Sequence, residues 1–229
     1  MFEGTTSGSR CCWNRLSKAG DAGWYLLGVV AQEERGTVDG RVARRERNRA
    51  AVLDVVLELF AEESLFPTIE QASQRSGLSL RSVYRYFADP GELLDAAIKR
   101  NREVSVGVAL LPSIGQGKLD QRIADFVAMR LRLYELIGAV YRATVHNAPR
   151  HETIQIELTK TRRELREQFE LQFSPELSVC SVADARSALA AGDWLTQLDS
   201  IDALRRQREL SEKHTIEALE TALLAILSR

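Results

Sequence analysis

The sequence predicts an all-α fold for this chain of 229 residues. Apolar residues recur at spacings of three and four over long stretches after residue 40, as on the buried face of a helix. Residues that cap helices precede several of these stretches; they are Thr68, Ser79, Asp89, Ser181 and Ser211. A break follows at Pro112, Gly115 and Gly117. We therefore predict an N-terminal three-helix unit over residues 41–110 and a C-terminal helical bundle over residues 118–229.

Composition bounds the class of protein without naming its function. Hydrophobic residues make up 45% of the chain, charged residues 28%, and the formal net charge is −1, so bulk charge gives no indication of a nucleic-acid partner. The distribution of charge does, because arginines crowd together just before residue 50 and only Glu46 opposes them; they are Arg41, Arg44, Arg45, Arg47 and Arg49. Such a run suits phosphate contacts, although by itself it is also typical of a solvated helix face.

Residues 1–40 differ from the rest of the chain. They are rich in Gly, Ser and Thr and show little helical period, so we predict a disordered extension. A start of translation at Val38 or Val42 is an alternative explanation of this segment. The longest apolar run, Trp24–Ala31, is too short to span a bilayer, and we expect no membrane span and no secretion signal.

The cysteines indicate a reducing compartment. Cys11 and Cys12 are adjacent in the chain, and Cys180 has no evident partner, so no disulfide framework is expected. The cytoplasm is the predicted location. A redox or metal role for the Cys11–Cys12 pair is the less favoured alternative.

The stretch PTIEQASQRSGLSLRSVYRYF, residues 67–87, has the pattern of two short helices joined by a tight turn. Thr68 and Ser79 are the predicted N-caps, and Gly77 suits the left-handed conformation that ends a helix. We expect four apolar side chains to fill the angle and the inner face of the second helix; they are Leu78, Leu80, Val83 and Phe87. Small residues at the crossing, a glycine turn, and hydroxyls with cations on the second helix are typical of a helix-turn-helix. An ordinary helical hairpin is the alternative.

Helices are predicted on both sides of this pair. The first covers Arg44–Glu63, with an apolar stripe formed by Val52, Leu53, Val56, Leu57 and Phe60. The other follows an Asp89 cap, has Pro90 in its first turn, and continues to about Val108. We expect it to connect the N-terminal unit to the rest of the chain.

Three consecutive segments resemble the N-terminal domain of tetracycline-repressor (TetR) family transcription regulators. They are RRERNRAAVLDVVLELFAEE at 44–63, the helix pair ending at Phe87, and DPGELLDAAI at 89–98. The YRYF ending of the pair, followed by an acidic cap and ELL, is the most specific part. The resemblance implies a dimeric, all-helical, ligand-responsive regulator that binds an inverted-repeat operator in double-stranded DNA.

Ten residues are predicted to contact DNA. Thr68, Tyr84 and Tyr86 match family positions that hydrogen-bond phosphates. Arg81 and Ser82 lie near the start of the second helix, where an arginine can hold guanine O6 and N7 with two hydrogen bonds. Arginines of the preceding helix are expected to follow the backbone or the minor groove. The complete set is Arg44, Arg45, Arg49, Thr68, Ser79, Arg81, Ser82, Tyr84, Arg85 and Tyr86.

The second half of the chain predicts four longer helices. They run from Leu119 to Asn147, from His151 to Phe173, from Ser181 to Leu198, and from Ser211 to Leu227, with a short helical connection at Ile201–Arg208. The third is expected to turn Ala185, Leu189, Ala190 and Trp194 inward. The order of the last two long helices resembles the family's dimerisation end, which implies a homodimer through a four-helix bundle. The alternative is that these stripes only fill a monomer core.

The resemblance also implies an effector pocket inside the C-terminal bundle. Six apolar and aromatic residues are the candidates that line it; they are Phe126, Met129, Leu133, Tyr134, Ile137 and Tyr141. His146 or Asn147 is a candidate polar anchor for an effector of unknown identity. Plain core packing is the alternative for every one of these side chains.

The sequence gives little indication of catalysis. His151-Glu152 begins like a zinc-peptidase motif, but Gln155 stands where the second histidine is needed. A metal site from His146, His151 and Glu157 would require convergence in the fold. We predict no enzyme, no metal and no cofactor. Two rivals to the repressor remain: an effector-independent DNA-binding regulator, and a helical interaction module without specific DNA binding.

Overall fold

The computed structural model describes residues 40–63, 66–111 and 113–228, and all regular structure within them is helical, so the predicted fold class is confirmed. The N-terminal helices are α1 (Gly40–Glu63), α2 (Ile69–Ser76), α3 (Leu80–Tyr86) and α4 (Pro90–Val106). The others are α5 (Leu119–Asn147), α6 (Glu152–Gln172), α7 (Ser174–Val179), α8 (Val182–Thr196), α9 (Leu198–Asp202) and α10 (Glu212–Leu227). A π-helix at Ala203–Gln207 extends α9. The predicted extension up to residue 39, Cys11, Cys12 and Pro112 lie outside the described residues.

The predicted caps of α2 and α3 are confirmed. Thr68 accepts from the Gln71 backbone nitrogen at 3.2 Å, while the Thr68 backbone nitrogen donates to Gln71 Oε1 at 2.8 Å. This reciprocal pair is a capping box, which satisfies two backbone donors at once. Gly77 ends α2 with φ of 70°, and Ser79 caps α3. Local sequence therefore determines the angle of the helix pair.

Two details of the N-terminal unit differ from prediction. α1 begins at Gly40, before the predicted Arg44, because its first turns are rich in Arg, with Ala43 and Glu46, and these residue types favour helix without needing a core. Leu80 is 41% exposed, and the prediction that it is buried was wrong. The inner face of α3 is formed by Val83, Tyr86 and Phe87, and Leu80 lies at the exposed end of the helix.

Two clusters of buried apolar side chains hold the helices together. The smaller joins α1, α2, α3 and α4 and contains Val52, Val56, Ile69, Val83, Phe87 and Leu93, among others. The larger surrounds α5, and its centre is a contact of three aromatic rings from Phe126, Phe169 and Phe173. Phe60, which we expected in the smaller cluster, belongs to the larger one. Phe66 packs against both clusters, and on α4 Leu93 lies in one while Leu94 packs against the other. The domain division near residue 112 stays a prediction.

The C-terminal half is organised around α5, which contacts α1, α6, α9 and α10. α8 packs against α6 and α10, and its predicted orientation is only partly confirmed. Ala185 and Leu189 are half-buried, and Leu189 packs against the larger cluster. Ala190 is exposed and Trp194 is 64% exposed, whereas Gly192 and Thr196 are buried. The reason is the absence of a side chain at Gly192, which lets α8 lie directly against the Phe169 ring.

Among the described helices, none combines the length and the apolar character needed to cross a membrane.

Candidate nucleic-acid interface

The exposed face of α3 carries most of the predicted reading residues. Arg81 and Arg85 are exposed, Tyr84 is 45% exposed, and Ser82 is half-buried. The Ser79 and Ser82 hydroxyl oxygens lie 2.9 Å apart, and Ser79 also accepts from the Ser82 backbone nitrogen. This helix therefore presents cations and hydroxyls to solvent while its other face is anchored in the smaller cluster.

The start of α1 lies beside the end of α3. The Arg49 guanidinium stands 5.1 Å from the centre of the Phe87 ring, a distance suited to a cation–π contact. Asn48 hydrogen-bonds the Tyr86 hydroxyl, and the Arg45 charge acts on the same group. Arg44 and Arg45 are exposed. The structure thus brings the arginines of α1 and α3 onto neighbouring surface, which neither segment alone would indicate.

Tyr86 reports the electrostatic character of this region. Its pKa is lowered from the usual 10.0, first by a hydrogen bond from Arg85 and then by the one from Asn48, against an opposing effect of burial. The direction of this shift reflects the hydrogen-bond donors and the positive charges of Arg85 and Arg45 beside the hydroxyl. The Tyr86 side chain is only 6% exposed, so its predicted contact with DNA stays a prediction.

Thr68 is exposed at the start of α2, and its oxygen accepts the capping bond described above. A hydroxyl has one donor in addition to its acceptor lone pairs. Thr68 can therefore cap α2 and still donate to a phosphate, as the resemblance implies. The contact itself stays a prediction.

An ion-pair cluster that we did not predict joins α4 to α6. Arg102 donates to Glu157 Oε2 at 3.2 Å and to Glu164 Oε1 at 2.8 Å. The side chains of Arg102 and Glu157 are each 25% exposed and that of Glu164 is 13% exposed, so solvent screens these ion pairs only in part. The spacing of seven between the two glutamates places them on one face of α6, which was a usable signal in the sequence. Because α4 also contacts both apolar clusters, Arg102 fixes the helix that connects them.

Replacing Arg102 with alanine is expected to lower the free energy of unfolding by about 1–2 kcal/mol, between the values for exposed and fully buried pairs. Urea denaturation measures this change. Arg163→Ala is the matched control, because Arg163 pairs with Glu167 at 3.7 Å in a far more exposed setting. Equal effects of the two substitutions would contradict a fixing role for Arg102.

The six predicted ligand-binding residues are all buried in the larger cluster. Phe126 contacts the rings of Phe169 and Phe173, and the Arg130 guanidinium lies 4.6 Å from its centre. Arg130 itself is 1% exposed and donates to Gln168 Oε1 and to the Leu165 carbonyl, each at 2.6 Å. The sequence therefore identified core residues correctly. Tyr134 also borders a surface groove, and the prediction that the six side chains line an effector pocket stays a prediction.

The two tyrosines of that set are bonded to carboxylates of α9. Tyr134 donates to Asp202 at 2.9 Å, and Tyr141 donates to Asp199 at 2.7 Å. Burial of the hydroxyl is the larger cause, and the hydrogen bond to the carboxylate is the second, of a raised pKa in both tyrosines. The pKa of Tyr134 is raised to about 12, and that of Tyr141 is raised further. Both tyrosines therefore stay protonated donors throughout the physiological range.

The remaining candidates are dispersed. His146 is exposed with a ring nitrogen 3.3 Å from Arg150, while Asn147 is 1% exposed and donates to the Ala143 carbonyl. Glu157 bonds Arg102 rather than joining the histidines. Within the described residues, no group of three or more histidines, cysteines or carboxylates could hold a metal ion.

Comparison with known structures identifies the fold. A candidate transcriptional regulator from Pseudomonas aeruginosa PAO1 matches with a TM-score of 0.59 and 13% identity, covering 80% of this chain and 91% of that one. The multidrug-binding protein EbrR, in complex with imidazole, matches with a TM-score of 0.56 and 16% identity, covering 86% of this chain and 97% of that one. A candidate fatty acid metabolism regulator of Clostridium perfringens matches with a TM-score of 0.52 and 14% identity, covering 78% of this chain and 97% of that one. At these identities the similarity shows a shared fold. No protein-family model and no curated protein sequence matches the chain.

Proposed function

We propose that this chain is a homodimeric transcription regulator of the tetracycline-repressor type, which binds an inverted-repeat operator in double-stranded DNA. The observation that carries the proposal is the exposed face of α3, with Arg81 and Arg85, beside the arginines that open α1. In helix-turn-helix proteins the second helix enters the major groove while flanking cations contact the backbone. The structures that share the fold include two candidate regulators and a multidrug-binding protein, which agrees with this assignment.

The roles within the interface follow from position. Arg81 and Ser82, at the start of α3, read base edges, and Arg81 is suited to guanine. Thr68, Tyr84 and the arginines of α1 hold phosphates and set the register of α3 in the groove.

A second copy of the chain covers the α8–α10 face, which comprises Val182, Ala190, Trp194, Leu224 and Ala225. Val182 is 89% exposed, Trp194 64% and Leu224 45%, and the two helices pack side by side. Large apolar side chains grouped on adjacent helices indicate an interface rather than a solvated surface. Two such faces form a four-helix bundle about a twofold axis, which places two reading helices about 34–36 Å apart on the operator.

A small-molecule effector acts through α4 in this proposal. EbrR is a multidrug-binding protein with the same fold, which supports a ligand in the C-terminal bundle. α4 contacts both apolar clusters and is tied to α6 by Arg102, so a change in the bundle reaches the helix pair through it. The effector must bind the conformation without DNA more tightly, by the amount of coupling that is observed.

Binding to the DNA immediately upstream of the chain's own gene tests the proposal. Wild type is expected to bind one segment tightly, with an affinity that falls steeply as salt rises. Arg81→Ala is expected to cost about 1–3 kcal/mol per half-site. Arg44→Ala is expected to weaken all sequences alike and to lower the salt slope by about one per half-site.

Arg132→Ala is the control, since Arg132 is an exposed arginine on α5 outside the helix pair. It is expected to bind like wild type. Equal weak binding to every DNA, unchanged by Arg81→Ala, would instead favour a helical interaction module. Specific binding that no small molecule alters would favour an effector-independent regulator.

A further inference from the structure

A groove on the surface of the C-terminal half lies between α5 and the π-helix. Its volume is about 270 Å³, and it is lined by Tyr134, Glu135, Gly138, Ala139, Arg142, Arg205 and Arg206. We call it the arginine groove. This volume lies just below the range of about 300–1,000 Å³ that is common for small-molecule sites, so the groove suits a very small ligand or the charged end of a larger one.

The arginine groove has an excess of positive charge. Arg142 is held by Asp202 at 3.0 Å, and Arg205 stands 3.7 Å from Glu135. Arg206 is exposed, and we find no hydrogen bond or ion pair to it from any described residue. Three guanidinium groups therefore face two carboxylates, and the third cation has no counter-ion within the described part of the chain.

The groove is held in shape by contacts on both walls. Arg205 donates to the Leu210 carbonyl at 2.7 Å, which fixes the direction of its guanidinium. On the α5 wall, Tyr134 and Arg142 both bond Asp202. A Cβ at Gly138 would lie 3.0 Å from the nearest atom of the Tyr134 ring, so a side chain there would displace the ring.

The π-helix supplies the remaining feature. Arg205 and Arg206 are consecutive residues of this π-helix, and both line the groove. Such π-helical turns cost helix stability and are frequent at functional sites. A turn of this kind that delivers two cations to a preformed groove indicates a ligand of opposite charge.

We propose that the arginine groove binds the oxyanion group, a carboxylate or a phosphate, of a small molecule. Guanidinium groups match both anions with paired, charge-assisted hydrogen bonds. Arg206 supplies the uncompensated charge, while Arg142 and Arg205 are already oriented by the protein. This site lies on α5 and the π-helix, apart from the proposed DNA-binding surface on α1 and α3.

Isothermal titration of the full chain with inorganic phosphate, and separately with acetate, tests this site at constant ionic strength. Wild type is expected to bind at least one anion saturably. Arg206→Gln is expected to weaken that binding by about fivefold or more, since a charge-assisted bond is lost. Binding of phosphate only, or of acetate only, identifies which oxyanion the groove takes.

Arg208→Gln is the matched control, because Arg208 is an exposed arginine just beyond the π-helix that does not line the groove. It is expected to bind like wild type, and thermal melting without anion checks that both variants are folded. Absence of saturable binding by wild type, or equal loss in both variants, would overturn the proposal. Operator binding measured on the same samples is expected to be unchanged by Arg206→Gln, so the two proposals fail separately.

Discussion

Replacing Trp194 with glutamate is expected to convert the proposed dimer into a monomer. Trp194 is 64% exposed in the single chain, which is unusual for the largest apolar side chain unless a partner covers it. A twofold axis brings two copies into one interface, so the substitution acts twice. With about 2 kcal/mol or more for each buried tryptophan, the dimer Kd is expected to rise about a thousandfold.

Operator binding is expected to weaken together with dimerisation. One reading helix alone makes half of the contacts, and it loses the fixed spacing that matches successive major grooves. Light scattering and sedimentation measure the oligomeric state, and an operator titration of the same sample measures DNA affinity. The two losses are expected to occur at the same protein concentration.

Ile156→Glu is the matched control for this result. Ile156 is 57% exposed on α6 and lies outside the α8–α10 face, so the same change of charge there leaves the dimer intact. Circular dichroism checks that both variants remain helical. A wild-type protein that is monomeric at every concentration, or a Trp194→Glu variant that dimerises normally, would contradict the proposed interface.

Capping residues and a glycine that lie close together in the sequence were sufficient to predict the α2–α3 helix pair. Thr68, Gly77 and Ser79 act on residues within the same turn, so the caps and the left-handed glycine could be predicted without knowledge of any distant contact. The exposure of Arg81, Tyr84 and Arg85 on α3 followed from that geometry. The packing of α1 against the end of α3 did not, because it joins residues far apart in the chain.

The orientation of α8 shows the limit of periodicity. A stripe of apolar residues identifies a helix face, but a face that packs on the protein's own core and one that packs on a second copy have the same composition. Ala190 and Trp194 were therefore predicted to turn inward, but both are exposed in the single chain. The buried status of Tyr134 and Tyr141 was predictable, whereas their partners Asp202 and Asp199 depend on how α9 docks.

Replacing Gly192 with alanine is expected to destabilise the fold by about 3 kcal/mol, at the upper end of the cost of overpacking a core. A Cβ built there lies 2.2 Å from Phe169 Cζ, well inside van der Waals contact. Phe169 is 0% exposed and contacts the rings of Phe126 and Phe173, so it has little room to move aside. Urea denaturation measures the loss, which is expected as a lower midpoint with an unchanged slope.

Gly107→Ala is the control for the loss of a helical glycine. Gly107 has helical φ of −63° at the end of α4, and a Cβ there meets nothing within 4 Å, so alanine is expected to be neutral or slightly stabilising. The double variant Gly192→Ala with Phe169→Leu tests the contact itself. Leucine lacks the far end of the ring, so the two changes together are expected to cost at least about 1 kcal/mol less than their sum. Additive costs would mean that Gly192 is needed for a reason other than the approach of α8 to Phe169.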